Sequence, residues 1–424
     1  MSLNNNTSNT QQAVVDRYIA NLESPNPRMR SQAAEDLGKL GRPVAVPVLT
    51  EALQDDVNTY VRSASAEALG RIGDARAIFP LMDALRDPCS FVRRAAAIAL
   101  GQMEAREAQG ALLRTLEDSN FYVRRAAINA IGKLGLPDLS AKLIPFLNVE
   151  DPRIRRTTII ALRRLGAQEA IPTMVEVLES YLLDPDRRDV PVVKTLVISL
   201  GELEAEAAVP ILIRVLRGYV GVRSLTAKAL GRIGDSRAAP ALLEALEDEK
   251  SRGLQLAALK SLGQLEYRKA IPKVRCHLDA PDPRLRRTAA LTLGALRDSD
   301  ATAALLQMAR EDDSPLVRPA AVEALGYIGD PGMIEALLPL VDDSNAYLRA
   351  ALAHALSTLD GDTPQVQVAL HKLREDRVRH VAIAAERALA NCDAPDREHD
   401  PDVDACPEPD RRHLSWLKRF LGRS

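Results

Sequence analysis

Apolar residues recur along most of this chain at intervals of three and four. In SFVRRAAAIALGQM, Ser90 to Met103, the residues Val92, Ala96, Ala99, Leu100 and Met103 share one side of a helix. Nearly the same phrase, NFYVRRAAINAIGKLG, returns 31 residues later. A second apolar stretch, such as RAIFPLMDALRD from Arg76 to Asp87, precedes each such phrase. The pattern therefore predicts pairs of helices repeated along the chain.

Alignment on the Leu-Gly step sets the register. Its glycine or replacement falls at Gly38, Gly70, Gly101, Gly132, Arg163, Gly201, Gly231, Gly263, Gly294, Gly326, Ser357 and Ala390. Spacings run from 30 to 33, with a single 38. Repetition at this period marks units that bury their apolar faces only against their neighbours. The expected fold is all-α: a right-handed α-solenoid of about twelve helix pairs.

Small residues carry the detail. Proline recurs near the start of the first helix (Pro47, Pro80, Pro172, Pro210, Pro240, Pro272 and Pro339), where a missing N–H costs nothing. A glycine three residues beyond the Leu-Gly step (Gly41, Gly73, Gly135, Gly166, Gly234, Gly329) fits a left-handed helix cap. The Leu-Gly glycine itself lies inside the helix and costs up to about 1 kcal/mol against alanine. Close approach of the next helix is its expected compensation.

Eight residues before each Leu-Gly glycine stands an arginine: Arg30, Arg62, Arg93, Arg124, Arg155, Arg223, Arg286, Arg318 and Arg349. Val193, Gln255 and Ala382 are the exceptions. An acid often precedes the arginine by six residues (Asp56, Asp87, Asp118, Asp312, Asp343) or by four (Asp151, Asp282). The acid is expected to cap the second helix. The arginine is expected to reach carboxylates or carbonyls of its own or the next unit, as a ladder of charge-assisted hydrogen bonds.

Composition narrows the function. A formal net charge of −2 gives no sign of a nucleic-acid partner. Cys89, Cys276, Cys392 and Cys406 are scattered and read as thiols of a reducing cytosol. Phosphate loops, dinucleotide fingerprints, H-E-x-x-H and nucleophile elbows are all missing, so no catalytic or metal residue is assigned.

The phrases VRRAAAIALGQM, VRSASAEALGRIGDARAIFPLMDAL and LTAKALGRIGDSRAAPALLEALED resemble HEAT repeats of the phycobilisome-lyase-like class. The resemblance spans residues 11–392. The class implies a helical solenoid, and it includes phycobilin lyase subunits, phycobilisome-degradation factors, deoxyhypusine hydroxylases and scaffolds. The hydroxylases hold iron through His-Glu pairs in their repeats. This chain has no His-Glu dipeptide, and its six histidines (277, 354, 371, 380, 399 and 413) lie in the C-terminal third.

Three features depart from the repeat. About seven extra residues enter at ESYLLDPDRRDVPVV, Glu179 to Val193, and are expected in the turn between the helices of the sixth unit. They read as a surface insertion, a contact loop or a bend between half-solenoids. Next, five of the 14 aromatics sit at one repeat position, in Thr59-Tyr60, Ser90-Phe91, Phe121-Tyr122 and Ala346-Tyr347. With Arg71, Arg94, Arg125, Lys133, Arg156 and Arg164 nearby, they form a basic and aromatic stripe expected on the concave side. The rings alternatively close gaps between units. Lastly, residues 1–10 read as a disordered lead, and the acidic, Pro-rich 393–410 as a linker. Residues 411–424, RRHLSWLKRFLGRS, read as a short basic amphipathic helix that caps the stack, docks on a partner or contacts a membrane surface.

The expected function is a non-catalytic scaffold or chaperone of the cytoplasm that binds an acidic protein surface along the concave face, with peripheral membrane contact through the C-terminal helix as a further option. Candidate binding residues are Tyr60, Phe91, Arg94, Phe121, Tyr122, Arg125, Lys133, Arg156 and Arg164. No cofactor is expected for that role. The alternative from the resemblance is a phycobilin lyase or lyase-like factor. There a bilin would use the arginines for its propionates and a carboxylate such as Glu67 for its pyrrole nitrogens.

Overall fold

The computed structural model describes residues 13–184 and 189–392. The lead, the acidic linker and the terminal basic segment lie outside the described residues. So do residues 185–188 within the insertion.

Among the described residues there are 24 α-helices in twelve successive pairs and no strand. By internal contacts the chain divides into two units, 1–203 and 204–424. In the first unit the pairs are α1 (residues 13–21) with α2 (Pro27–Leu40), α3 (Val46–Asp55) with α4 (Thr59–Ile72), and α5 (Ile78–Ala84) with α6 (Ser90–Gln102). They continue as α7 (Gln109–Thr115) with α8 (Phe121–Leu134), α9 (Ser140–Leu143) with α10 (Pro152–Arg164), and α11 (Ile171–Leu183) with α12 (Val190–Glu202). In the second unit they are α13 (Val209–Gly218) with α14 (Arg223–Ile233), α15 (Ala239–Leu246) with α16 (Arg252–Gln264), and α17 (Ile271–Arg275) with α18 (Pro283–Ala295). The last are α19 (Thr302–Glu311) with α20 (Val317–Ile328), α21 (Ile334–Leu337) with α22 (Ala346–Asp360), and α23 (Pro364–Arg374) with α24 (Arg379–Cys392). Within each unit, second helix packs on second helix from one pair to the next, which is the α-solenoid plan. No described helix is long and apolar enough to cross a membrane.

The two glycines of each repeat do separate work. Gly41, Gly73, Gly135, Gly166, Gly234 and Gly329 all have φ between 64° and 82° and end their helices in the left-handed region. In four of the pairs lacking this glycine, Glu104, Glu204, Glu266 and Arg297 take the same conformation at φ 49° to 53°. The Leu-Gly glycine is a contact residue. A Cβ on Gly101 would lie 2.7 Å from the Cα of Ala130, and one on Gly132 would lie 2.7 Å from the Cα of Ala161. Loss of the side chain is what lets adjacent second helices approach this closely.

The arginine ladder runs forward. Arg30 pairs with Asp56 at 2.6 Å, Arg62 with Asp87 at 2.8 Å and Arg93 with Asp118 at 2.6 Å. In the second unit Arg223, Arg286, Arg318 and Arg349 reach Asp248, Asp312, Asp343 and Asp376. Each of these acids belongs to the following pair. Where the guanidinium also turns back, it bonds its own pair's turn, as Arg93 Nη1 does to the Asp87 carbonyl at 2.8 Å. Two sites deviate. Val149 stands where Arg124 would find its acid, and Arg124 bonds the Asp118 and Ser119 carbonyls. Arg155 instead meets the Tyr181 hydroxyl and the Leu147 and Val149 carbonyls.

Three local expectations need correction. The acids six residues ahead of the arginine do not cap the second helix. Their carboxylates accept the N–H two residues on, as Asp118 does from Asn120 at 2.8 Å. At α4, α8 and α22 they sit two residues ahead of the cap position, which Asn58, Asn120 and Asn345 fill, while α6 and α20 have no side-chain cap. Asp151 and Asp282, four residues ahead, are true caps. Pro339 is not a first-turn proline. It follows the four-residue α21 and starts the 3₁₀ turn Leu338–Asp342, because its ring removes the N–H that a continuing α-helix needs. Finally, the insertion does not begin in a turn. Its first residues lengthen α11 to 13 residues, against 7 in α5 and α7, because Leu178 and Tyr181 continue its buried face.

Candidate binding face

The second helices of the first unit present one repeat position after another on the same side. Asn58 and Asn120 accept the N–H of Tyr60 and Tyr122, each at 2.9 Å. This cap fixes the first turn, and the next side chain is left pointing away from the core. Tyr60 is 72% exposed, Phe91 60% and Tyr122 47%. An aromatic that closes a gap between units would be covered, and these three are not. Phe121 is half-buried and stands edge-on to Tyr122, with ring centroids 5.1 Å apart.

Cations gather around the rings. The Arg125 guanidinium lies 5.7 Å from the Phe121 centroid and 5.6 Å from that of Tyr122. Arg153 lies 4.3 Å from the Phe121 centroid, on the other side of the pair boundary. Arg125 on α8 and Arg153 on α10 therefore share one ring, a cation–π arrangement that holds both heads over an aromatic platform. Arg156 and Arg164 are exposed on α10, and Arg94 and Lys133 are partly exposed on α6 and α8. Arg164 donates to the Asn129 side chain of α8 at 3.0 Å. Arg71 on α4 lies 3.7 Å from Glu67, the stripe's acid on that helix.

The structure thus brings Phe121, Tyr122 and Arg125 into direct contact and joins Arg164 to α8. Tyr60, Phe91, Arg94, Lys133 and Arg156 occupy equivalent faces of consecutive helices. Tyr347, the fifth ring, lies in the second unit and stacks on His380 at 5.0 Å. Arg153 and Asn129 were missed. Arg153 holds the same repeat position as Tyr60, Phe91 and Tyr122, ten residues before the aligned Leu-Gly position. Reading that position for charge as well as for rings would have found it.

Paired second helices, forward-running arginines and close-packed glycines define a solenoid of helical repeats. A family model for HEAT repeats matches in eight overlapping stretches between residues 15 and 390. The chain belongs to the HEAT-repeat family, in its phycobilisome-lyase-like class. It is similar to the phycocyanobilin lyase alpha subunit of Picosynechococcus sp., 32% identical over 165 residues that cover 35% of this chain and 62% of the relative. It is also similar to the subunit of that name from Nostoc sp., 31% identical over 191 residues, 38% of this chain and 69% of the relative. The chain thus spans a little under two thirds of the first relative's length. Among solved structures, importin beta matches with a TM-score of 0.63 at 15% identity, over 90% of this chain and 65% of importin beta. Kap95p bound to RanGDP matches with a TM-score of 0.62 at 14% identity, over 90% of this chain and 62% of Kap95p. At that identity the likeness is one of fold.

Proposed function

We propose that this protein is a non-catalytic scaffold whose first unit captures an acidic segment of a partner protein on α4, α6, α8 and α10. The observation that carries the reading is the exposure of Tyr60, Phe91 and Tyr122 at one repeat position, beside arginines on the next rows. Aromatic anchors flanked by guanidinium groups are the composition of binding hot spots. Importin-like neighbours use the same fold with protein partners, as in Kap95p with RanGDP and with Nup1. The test is affinity purification from the native host with wild-type protein and with Phe91→Ala/Tyr122→Ala. Partners that are lost from the variant while its helicity is unchanged support the reading. An identical set of partners overturns it.

A second reading rests on the two lyase relatives: a lyase-like factor handling a bilin and its apoprotein. The same arginines would hold propionates, although Glu67 is already beside Arg71. Mixing with bilin would then shift the visible absorption of the pigment, and an unchanged spectrum removes this reading.

A further inference from the structure

Two second helices of the second unit, α20 and α22, carry small side chains at a repeat row that is basic on α6, α8 and α10 of the first unit. Where the first unit carries Arg94, Arg125 and Arg156, α18 still carries Arg287, but α20 and α22 carry Pro319 and Ala350 and α24 carries Ile383. The next row, Ala320, Ala351 and Ala384, is small as it is at Ala95 and Ala126 of the first unit. Small side chains on α20, α22 and α24 leave a groove of about 730 Å³, to which α18 contributes Arg284 and Arg287. That volume lies within the range of small-molecule sites, about 300–1,000 Å³, and the groove walls are mostly apolar, as such sites require.

Polar side chains are spaced along the groove. Glu323 stands on α20, half-buried, and its walls include Arg287 of α18, His354 of α22 and Arg387 of α24. Arg284 also lines it but is held by Asp282 at 3.0 Å. Arg287 and Arg387 are exposed at opposite ends of the row of helices. Two guanidinium groups at the ends of an apolar hollow suit a molecule with an apolar body and an anionic end.

We propose that the groove of α18, α20, α22 and α24 binds a small apolar carboxylic acid, its body on the Pro319, Ala320, Ala350 and Ala351 floor and its carboxylate at Arg287 or Arg387. The site uses none of the residues of the protein-binding face, so it stands or falls separately from that function. Burial pushes the Glu323 carboxyl up to about 7, and the Arg287 charge only partly opposes this. The carboxyl therefore loses its charge near neutrality. A charged Glu323 repels the ligand and a neutral one does not, so binding strengthens as pH falls. His354 on α22, Arg284 and Arg287 on α18 and Arg387 on α24 face the same groove.

The experiment titrates the full-length protein with fluorescent pyrenebutyrate, and with uncharged pyrenebutanol as control. Pyrenebutyrate is expected to bind at least tenfold more tightly than the alcohol, and Arg287→Gln/Arg387→Gln should remove that preference, a loss of about tenfold. Ala350→Trp, on the solvent side of α22, should fill the groove and abolish binding while circular dichroism stays unchanged. Between about pH 8 and pH 6 the wild type should tighten severalfold, and Glu323→Gln/His354→Asn should show a flat profile. Equal binding of acid and alcohol, or binding unaffected by Ala350→Trp, overturns the proposal.

Discussion

Arg93 leaves its own helix pair and grips Asp118 of the next with two parallel bonds, Nε to Oδ2 at 2.6 Å and Nη2 to Oδ1 at 2.9 Å. The same guanidinium donates Nη1 to the Asp87 carbonyl, and the Asp87 carboxylate takes Arg62 from the pair before. One side chain therefore ties the turns of two consecutive pairs, and its neighbours continue the chain of bonds. Replacing Asp118 by Ala leaves a largely buried guanidinium without its fork and the Asn120 N–H without its acceptor. The expected cost is about 2–4 kcal/mol, measured by chemical denaturation. An effect within experimental error would show that the ladder is decorative.

The ladder also sets the response to acid. Burial works against a charged Asp118, but the hydrogen bonds from Arg93 and the Asn120 N–H outweigh it and hold the carboxyl below its ordinary value of 3.8. Asp56, Asp87 and Asp312 are lowered by the same balance. A depressed folded value stabilises the fold above the unfolded value and is lost as pH falls through the folded one. The melting temperature should thus hold between about pH 7 and pH 5 and fall steeply below about pH 4. A melting curve that does not change down to pH 3 would contradict this.

Gly101→Ala should destabilise, although alanine is the better helix former by about 1 kcal/mol. The added Cβ would sit 2.7 Å from the Ala130 Cα, where backbone must move. The expected loss is about 2–3 kcal/mol, partly restored by Ala130→Gly. A stabilised Gly101→Ala protein would refute the close approach of α6 and α8.

The left-handed caps give a prediction of opposite sign. Glu104 holds φ at 49°, where an L side chain is strained. Glu104→Gly should stabilise by about 0.5–1 kcal/mol, and Gly73→Ala, at φ 72°, should cost about 1 kcal/mol. Thermal melts of the two single variants check both signs.

Leu100 is completely buried in α6. Leu100→Ala should cost about 2–5 kcal/mol. Because each pair packs on its neighbours, faster hydrogen exchange should concentrate in α4 to α8. A uniform rise through the first unit would instead mean that it unfolds as one block.

Much of this was legible in one dimension because it is local. A helix face is set by spacing, and a cap by a residue that tolerates positive φ. Gly41, Gly73 and Gly329 could therefore be placed before any coordinate was known. The exposed row of Tyr60, Phe91 and Tyr122 was legible for the same reason, since a fixed repeat puts equal positions on equal faces. The partners of those residues were not. Whether Arg93 would choose a carbonyl of its own turn or a carboxylate 25 residues ahead depends on the step between pairs, and that step is set by how closely Gly101 lets α8 approach. Arg153 joined Phe121 because the same step brings α10 against α8. The groove beside Glu323 arises from four helices that place Pro319, Ala350 and Ala384 side by side. Periodicity records which way each side chain points; the distance between helices is decided only when the side chains of both are packed together.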